Sequence, residues 1–353
     1  MADNRGRRRR QRRRKKPSRR KNKGARDSIN RGDFISSLPN DILQHILSFI
    51  PTSYAIRTSV LSKRWRHVWY DTPSLYIEDR TPNVRGINQT LTYYRAPKIV
   101  SFHLHVGLYD NYTQQIDSWI EFAISRNVQN LSVKFYSYRE YRFPDFFYRC
   151  SSIKQLSVEI MSYIDMFPKC KVSWESLRNL SLRNCRLLDE SIAKILSGCP
   201  KLESLTLRYC RLLESLDLSK SPSLTRLEIH RAYGGPRKIV APHIRYLRLE
   251  DDEGPCNLVD VSSLIESNLD IRFYVEFNVH ETKVPKMLEK LQNVARLIVG
   301  ADVPKIQDVE RLIAEANVPI SRFSLLPSSA VLIHKCSYPN VMSIAIVLKG
   351  SNC

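Results

Sequence analysis

His103 and His105 alternate in the run SFHLHV, so on a β-strand both imidazoles share one face. Two histidines so placed can bind a metal, but an ordinary surface strand also explains them. No third ligand follows at the close spacing a zinc site uses. Asp251, Asp252 and Glu253 make an acidic turn after a strand pattern, yet a calcium loop needs more oxygen ligands at fixed intervals. The chain has no glycine-rich phosphate loop, no GxSxG and no HExxH. The expectation is a chain without catalytic residues, metal or cofactor, whose work is binding.

The eight cysteines are scattered and form no CxxC pair. The N-terminus lacks the apolar stretch of a secretory signal, so the cysteines read as reduced thiols with structural roles. No run of eighteen apolar residues occurs, so no spanning helix and no membrane partner are expected. Apolar residues make up 42% of the 353, enough for a substantial core.

The formal charge of +21 is concentrated in a tail. Residues 1–31 hold sixteen Lys and Arg against Asp3 and Asp27. A segment with almost no apolar residue and one sign of charge cannot fold alone and stays extended. Three readings of this tail are open. Arg7, Arg8, Arg9, Arg10, Arg12, Arg13, Arg14, Lys15 and Lys16 have the form of a nuclear-import signal. The same charges could contact nucleic-acid phosphates through counterion release. The tail could also be an unselected, solvated extension. No aromatic residue is interleaved with the arginines, which removes base stacking and argues against nucleic acid as a partner.

The elements that position these groups begin with Leu38 to Trp69, LPNDILQHILSFIPTSYAIRTSVLSKRWRHVW. Pro39 suits a helix entry, Asn40 an N-cap and Asp41 a first turn. Ile42, Leu43, Ile46, Leu47 and Ile50 recur at helical spacing, and Pro51 stops that helix. Thr52 or Ser53 can cap a second short helix carrying Ala55, Ile56 and Val60. Ser62 can cap a third, with Trp65, Val68 and Trp69 on one face. A unit this small cannot bury a self-sufficient core, so its apolar faces call for a partner.

This segment resembles an F-box in the form common in plant F-box/leucine-rich-repeat proteins. The matching residues run from Leu38, Pro39, Asp41, Ile42 and Leu43 through Ile46, Leu47, Ser48 and Pro51 to Arg57–Trp65 and Trp69. The resemblance implies docking onto the Skp-type adaptor of a cullin-RING (SCF-type) ubiquitin ligase. Adaptor contacts would fall to Leu38, Pro39, Ile42, Ile46, Leu47, Leu61 and Trp65. Packing of this segment on its own chain is the competing reading.

Past the F-box, VQNLSV, IKQLSV, LRNLSL, LESLTL, LTRLEI and IRYLRL share one form, apolar-x-x-apolar-x-apolar. Their central residues are Leu131, Leu156, Leu180, Leu205, Leu227 and Leu247, at steps of 25, 24, 25, 22 and 20. That period is the range of leucine-rich repeats. Weaker repeats are expected around Leu269 and Leu297. Leu213, Leu216 and Leu218 read as a return path with a short strand of their own. Cys185 and Cys210 follow their strands by equal intervals, where such repeats place Asn or Cys.

The fold class expected is therefore α/β: a three-helix F-box, then an irregular leucine-rich-repeat solenoid with a curved parallel sheet, preceded by a disordered tail. The divisions are 1–32 tail, 33–77 F-box, 78–126 linker and N-terminal cap, 127–300 repeats and 301–353 C-terminal cap. Outward residues of the strands form a basic-leaning face. Arg183 and Arg208 occupy equivalent places in adjacent repeats and would repel unless an acidic partner intervened, which makes them the candidate substrate-binding residues. The resulting reading is a non-catalytic substrate-recognition subunit, with the adaptor, cullin, RING subunit and an unidentified protein substrate as partners. Its expected location is the nucleus, with the cytoplasm as a second compartment. The alternative is a nuclear nucleic-acid-binding or scaffold protein that uses the tail.

Overall fold

The chain divides into two compact units, Met1–Pro39 and Asn40–Cys353. The computed structural model describes residues 34–79, 83–107, 113–136, 141–231, 234–251, 256–272, parts of 286–302, 323–324 and 344–349. Arg7 to Lys16 of the tail, Asp252 and Glu253, and most of residues 303–353 lie outside the described residues. In the first unit Phe34–Ser37 forms one helical turn, α1, and the Leu38 N–H donates to the Ile35 carbonyl at 3.2 Å.

The second unit opens with α2 (Asn40–Leu47), α3 (Thr52–Arg57) and α4 (Trp65–Val68). Pro51 stands at the N-cap of α3, as its missing N–H and fixed φ allow. Thr52 does not cap that helix. Its buried hydroxyl accepts from the Tyr76 N–H at 2.8 Å and ties α3 to β1 (Ser74–Asp79). The Asn40 side-chain oxygen accepts from Arg64 Nε at 2.9 Å, joining the start of α2 to the entrance of α4. Ser62 Oγ accepts from the Trp65 N–H at 3.4 Å, but Arg64 rather than Ser62 stands at the N-cap of α4. Trp65, Val68 and Trp69 are all buried, as their shared face requires.

Beyond β1 come α5 (Val84–Tyr93), β2 (Ser101–Gly107), α6 (Thr113–Ser125), β3 (Asn130–Tyr136), α7 (Asp145–Tyr148), β4 (Gln155–Asp165), β5 (Asn179–Arg186) and α8 (Asp189–Ser197). The strands β6 (Ser204–Arg208), β8 (Arg226–Arg231), β10 (Tyr246–Asp251), β12 (Glu266–Arg272) and β13 (Arg296–Asp302) then extend one sheet. Its neighbours pair in parallel from β1 to β13. β15 (Ile344–Lys349) and β14 (Phe323–Ser324) add antiparallel strands at the far edge.

One row of the sheet runs Leu75, Phe102, Leu131, Leu156, Leu180, Leu205, Leu227 and Leu247 in strict register. Parallel strands need crossovers, and here α5 to α8 or irregular chain supply them, burying the apolar side of the sheet. The span 78–126 thus contributes a full strand and two helices, and the repeat-like sheet begins at Ser74, inside the span assigned to the F-box.

One repeat is shifted from the sequence reading. Leu247 pairs with Ser267, and Leu269 pairs with Leu249. Alternation with period 2 identifies which residues face the core but cannot distinguish registers that differ by two. Leu297 pairs with Ser267 and so does occupy the central row. The return path is as read: β7 (Ser215–Asp217) joins β9 (Lys238–Val240) and β11 (Asn257–Asp260) in a second, three-stranded parallel sheet.

Cys150, Cys170, Cys185, Cys199, Cys210 and Cys256 are buried, reduced thiols. Cys185 donates to the Arg183 carbonyl at 3.5 Å and Cys210 to the Leu182 carbonyl at 3.5 Å. The residue before each, Asn184 and Tyr209, takes the left-handed conformation (φ 55° and 54°). The thiols therefore meet backbone carbonyls at the end of β5, for Cys185, and just past β6, for Cys210.

Candidate functional site

α2 and the turn that follows it carry two apolar stripes at i, i+4, i+7 spacing. Leu43, Leu47 and Ile50 form one; Ile42, Ile46 and Phe49 form the other. The small helical unit packs the first stripe inward and leaves the second in solvent. Leu47 is 3% exposed, against 46% for Ile42, 44% for Ile46 and 73% for Phe49. The same division recurs further on: Trp65 is 5% exposed, whereas Val60 and Leu61 are 87% and 65% exposed.

Two of the expected adaptor contacts are therefore corrected. Leu47 and Trp65 sit inside the chain's own core, where they hold the helices together, and have almost no surface to offer a second protein. Ile42, Ile46 and Leu61 retain an accessible apolar surface. In the first unit Pro39 is exposed and Leu38 half-buried. Phe49, Val60 and Tyr54 are exposed apolar groups that the sequence reading did not assign to a surface. Phe49 was detectable, because it continues the Ile42–Ile46 stripe. Val60 was not, because it lies on a 3-10 turn, Thr58–Val60, rather than on the helix it was assigned to.

The polar face of the long sheet carries a row of charge. Lys134, Glu159, Arg183, Arg208, His230 and Glu250 are successive register partners. Two residues back lies a row of hydroxyls, Ser132, Ser157, Ser181 and Thr206. Arg183 and Arg208 are adjacent, as read, but their charges are compensated from within. Glu159 lies 3.6 Å from Arg183, and Glu228 lies 3.9 Å from Arg208. The premise that only an outside acid could relieve their repulsion is thus overturned, because neighbouring strands place carboxylates beside them. Sequence spacing gives the equivalent positions but not the lateral partners.

At one end of the row His230 and Arg248 both contact the Glu250 carboxylate. Burial alone would raise Glu250, but the hydrogen bond and charge of His230, together with Arg248, outweigh it and hold the carboxyl at about 2. At the other end His103 and His105 share a face as expected, with ring centroids 6.0 Å apart and Tyr76 edge-on to both. Burial lowers the pKa of both, and His105 meets the Ser132 hydroxyl at 3.1 Å. Among the described residues no cluster of three or more His, Cys, Asp or Glu could hold a metal, and no helix is long and apolar enough to cross a membrane.

Residues 35–75 match the family model of the F-box domain. Residues 116–262 match the model described as "FBD-associated F-box protein At5g56370, LRR repeats". The chain is 51% identical over 276 residues to F-box protein At5g03100 of Arabidopsis thaliana, covering 76% of this chain and 89% of that protein. The chain belongs to the F-box/leucine-rich-repeat family. Among other family members, F-box/LRR-repeat protein At5g02910 of Arabidopsis thaliana is 54% identical over 282 residues, 78% of this chain and 61% of that protein. F-box/LRR-repeat protein At3g03360 of the same plant is 51% identical over 288 residues, 77% of this chain and 60% of that protein. The chain thus spans about three fifths of the length of these two relatives.

Proposed function

We propose that this F-box/leucine-rich-repeat chain is a non-catalytic substrate receptor of an SCF-type ubiquitin ligase. The observation that carries the reading is the solvent-facing stripe Ile42, Ile46 and Phe49 inside the matched F-box span, joined by exposed Val60 and Leu61. Large apolar groups left out of a chain's own core are the usual mark of a surface meant for another protein. The occupant on this reading is a Skp-type adaptor, and through it a cullin and a RING subunit. Ile42, Ile46, Leu61, Phe49 and Val60 are the proposed adaptor contacts. Leu38 and Pro39 are added on the resemblance alone. The sheet's polar face, with Arg183 and Arg208, receives a protein substrate. Ubiquitin transfer then follows from proximity: the complex raises the local concentration of substrate near a charged carrier held elsewhere.

The tail residues Arg7 to Arg10, Arg12 to Arg14, Lys15 and Lys16 are proposed as a nuclear-import signal, supported by their density of charge and lack of aromatic residues. Deleting residues 2–31 from a fluorescent fusion should shift it from nucleus to cytoplasm; unchanged nuclear signal refutes the assignment.

The receptor reading is tested by pull-down with a purified Skp-type adaptor. Leu38→Ala/Pro39→Ala and Ile46→Asp should lose the adaptor, and deletion of the tail should keep it. If the wild-type chain retains no adaptor, and captures RNA or DNA through the tail instead, the scaffold alternative stands.

A further inference from the structure

His103 and His105 stand two residues apart on β2, one strand in from the edge of the long sheet. Strand geometry points both imidazoles out of the same face, where each is half-buried. Their ring centroids are 6.0 Å apart. An imidazole nitrogen binds a transition-metal ion at ~2.1 Å, which puts the ring centroid about 3.2 Å from the ion. Two rings on one ion therefore have centroids about 4.5 to 6.4 Å apart, as the bond angle opens from about 90° to about 180°. The observed separation lies inside that range, so the backbone of β2 already sets the bite of a chelate. The two rings are nearly perpendicular, at 87°. The torsion that turns an imidazole is broad, so aiming both rings at one point costs little.

The surroundings suit a cation. Tyr76 and Ser132 flank His103 on the neighbouring strands, and Glu78 and Lys134 flank His105. Glu78, Glu159 and Lys134 act on His105, two acids against one base. Burial lowers the pKa of both histidines, which favours the neutral ring, the form that ligates. Neither ring is committed to a carboxylate, because the Tyr76 phenol is the group that donates to Glu78. His105 meets the Ser132 hydroxyl at 3.1 Å, and a hydroxyl rotates freely enough to turn aside. His230 differs on both counts, being buried and held by Glu250.

We propose that His103 and His105 chelate one divalent late transition-metal ion, of the class of nickel, copper and zinc, with water in its remaining positions. Imidazole is a preferred donor for these ions. Magnesium and calcium require oxygen ligands and are excluded by the donor set. The strand holds the second imidazole beside the first, so the second bond forms intramolecularly. That advantage separates the pair from the lone exposed histidines His45, His67 and His243. The six buried thiols are closed to an ion in the folded chain. The inference does not depend on the receptor reading, and it departs from the expectation of a metal-free chain that followed from the missing third ligand.

The test titrates the full chain with nickel chloride by calorimetry, with magnesium chloride as the negative control. One saturable nickel site is expected. His103→Gln and His105→Gln should each weaken it at least about tenfold, because either change removes the chelate. His243→Gln, at an exposed position between β9 and β10, should leave it unchanged. Should the His103 and His105 variants not fold, the wild-type chain decides. Nickel should protect His103 and His105 together from carbethoxylation by diethylpyrocarbonate, mapped by peptide mass spectrometry, and leave His243 reactive. Undiminished binding in both variants, or equal protection of His243, means an adventitious ion only and overturns the proposal. A wild-type chain that takes up no nickel overturns it too, as does a pair of rings that resists the reagent without metal and is thus closed to an ion.

Discussion

Trp65 and Leu61 lie four residues apart in the F-box, and the structure gives them opposite work. Trp65 is 5% exposed and packs the helices; Leu61 is 65% exposed. Truncating a buried Trp to Ala costs about 3–5 kcal/mol, from lost transfer energy and the cavity left behind. Trp65→Ala should therefore speed hydrogen exchange across residues 40–69 by roughly a hundred- to several-thousand-fold, the factor such a change in local opening energy implies. Leu61→Ala should shift the same exchange by less than about 0.5 kcal/mol, because the removed atoms are already in water. Its effect should appear on adaptor binding instead. Fully burying a Leu side chain contributes about 1.5–3 kcal/mol, and the two-thirds still exposed here leaves about 1–2 kcal/mol for an interface to gain. That corresponds to a dissociation constant roughly 5- to 30-fold weaker. Exchange measured by mass spectrometry and titration with purified adaptor read the two effects separately. If Leu61→Ala loosens the helices as much as Trp65→Ala does, or if Trp65→Ala leaves exchange unchanged, the division of this segment into packing and docking faces is wrong.

Three further outcomes are expected. Ser267 is fully buried in the leucine row with no hydrogen-bond partner for its hydroxyl, so Ser267→Ala should raise stability by about 1 kcal/mol in urea denaturation; a lower midpoint would contradict the assigned register. Glu250 is held at about 2, below its ordinary value of 4.5, so its contribution to stability is fully present above pH ~4.5 and lost as pH falls towards 2. Glu250→Gln should flatten the acid limb of a stability–pH profile in that window, and an unchanged limb counts against the His230–Glu250–Arg248 cluster. Burial raises the Cys199 thiol to about 12 and pushes Cys185 up as well, where the Cys210 thiol beside it and burial act together. Alkylation of the native chain at pH 8 should leave both unlabelled, and rapid labelling of either before unfolding would refute their placement.

The sequence by itself determined the parts list. Helical spacing and the prolines at 39 and 51 marked the short helices, and the repeat of Leu131 to Leu247 marked parallel strands, because both signals are local periodicities that backbone geometry imposes. The return strand at Leu216 and the structural cysteines were legible for the same reason. The tertiary structure decided everything that depends on which of two equivalent choices is packed. α2 carries two apolar stripes of equal spacing, and only the fold shows that Leu43 and Leu47 turn inward while Ile42 and Ile46 turn out. Period-2 alternation could not separate Ser267 from Leu269 as the core position, since both face the same side of the strand. Nor could linear spacing reveal that Glu159 and Glu228 flank the two arginines, because lateral neighbours in a parallel sheet are set by register between strands some 20 to 25 residues apart.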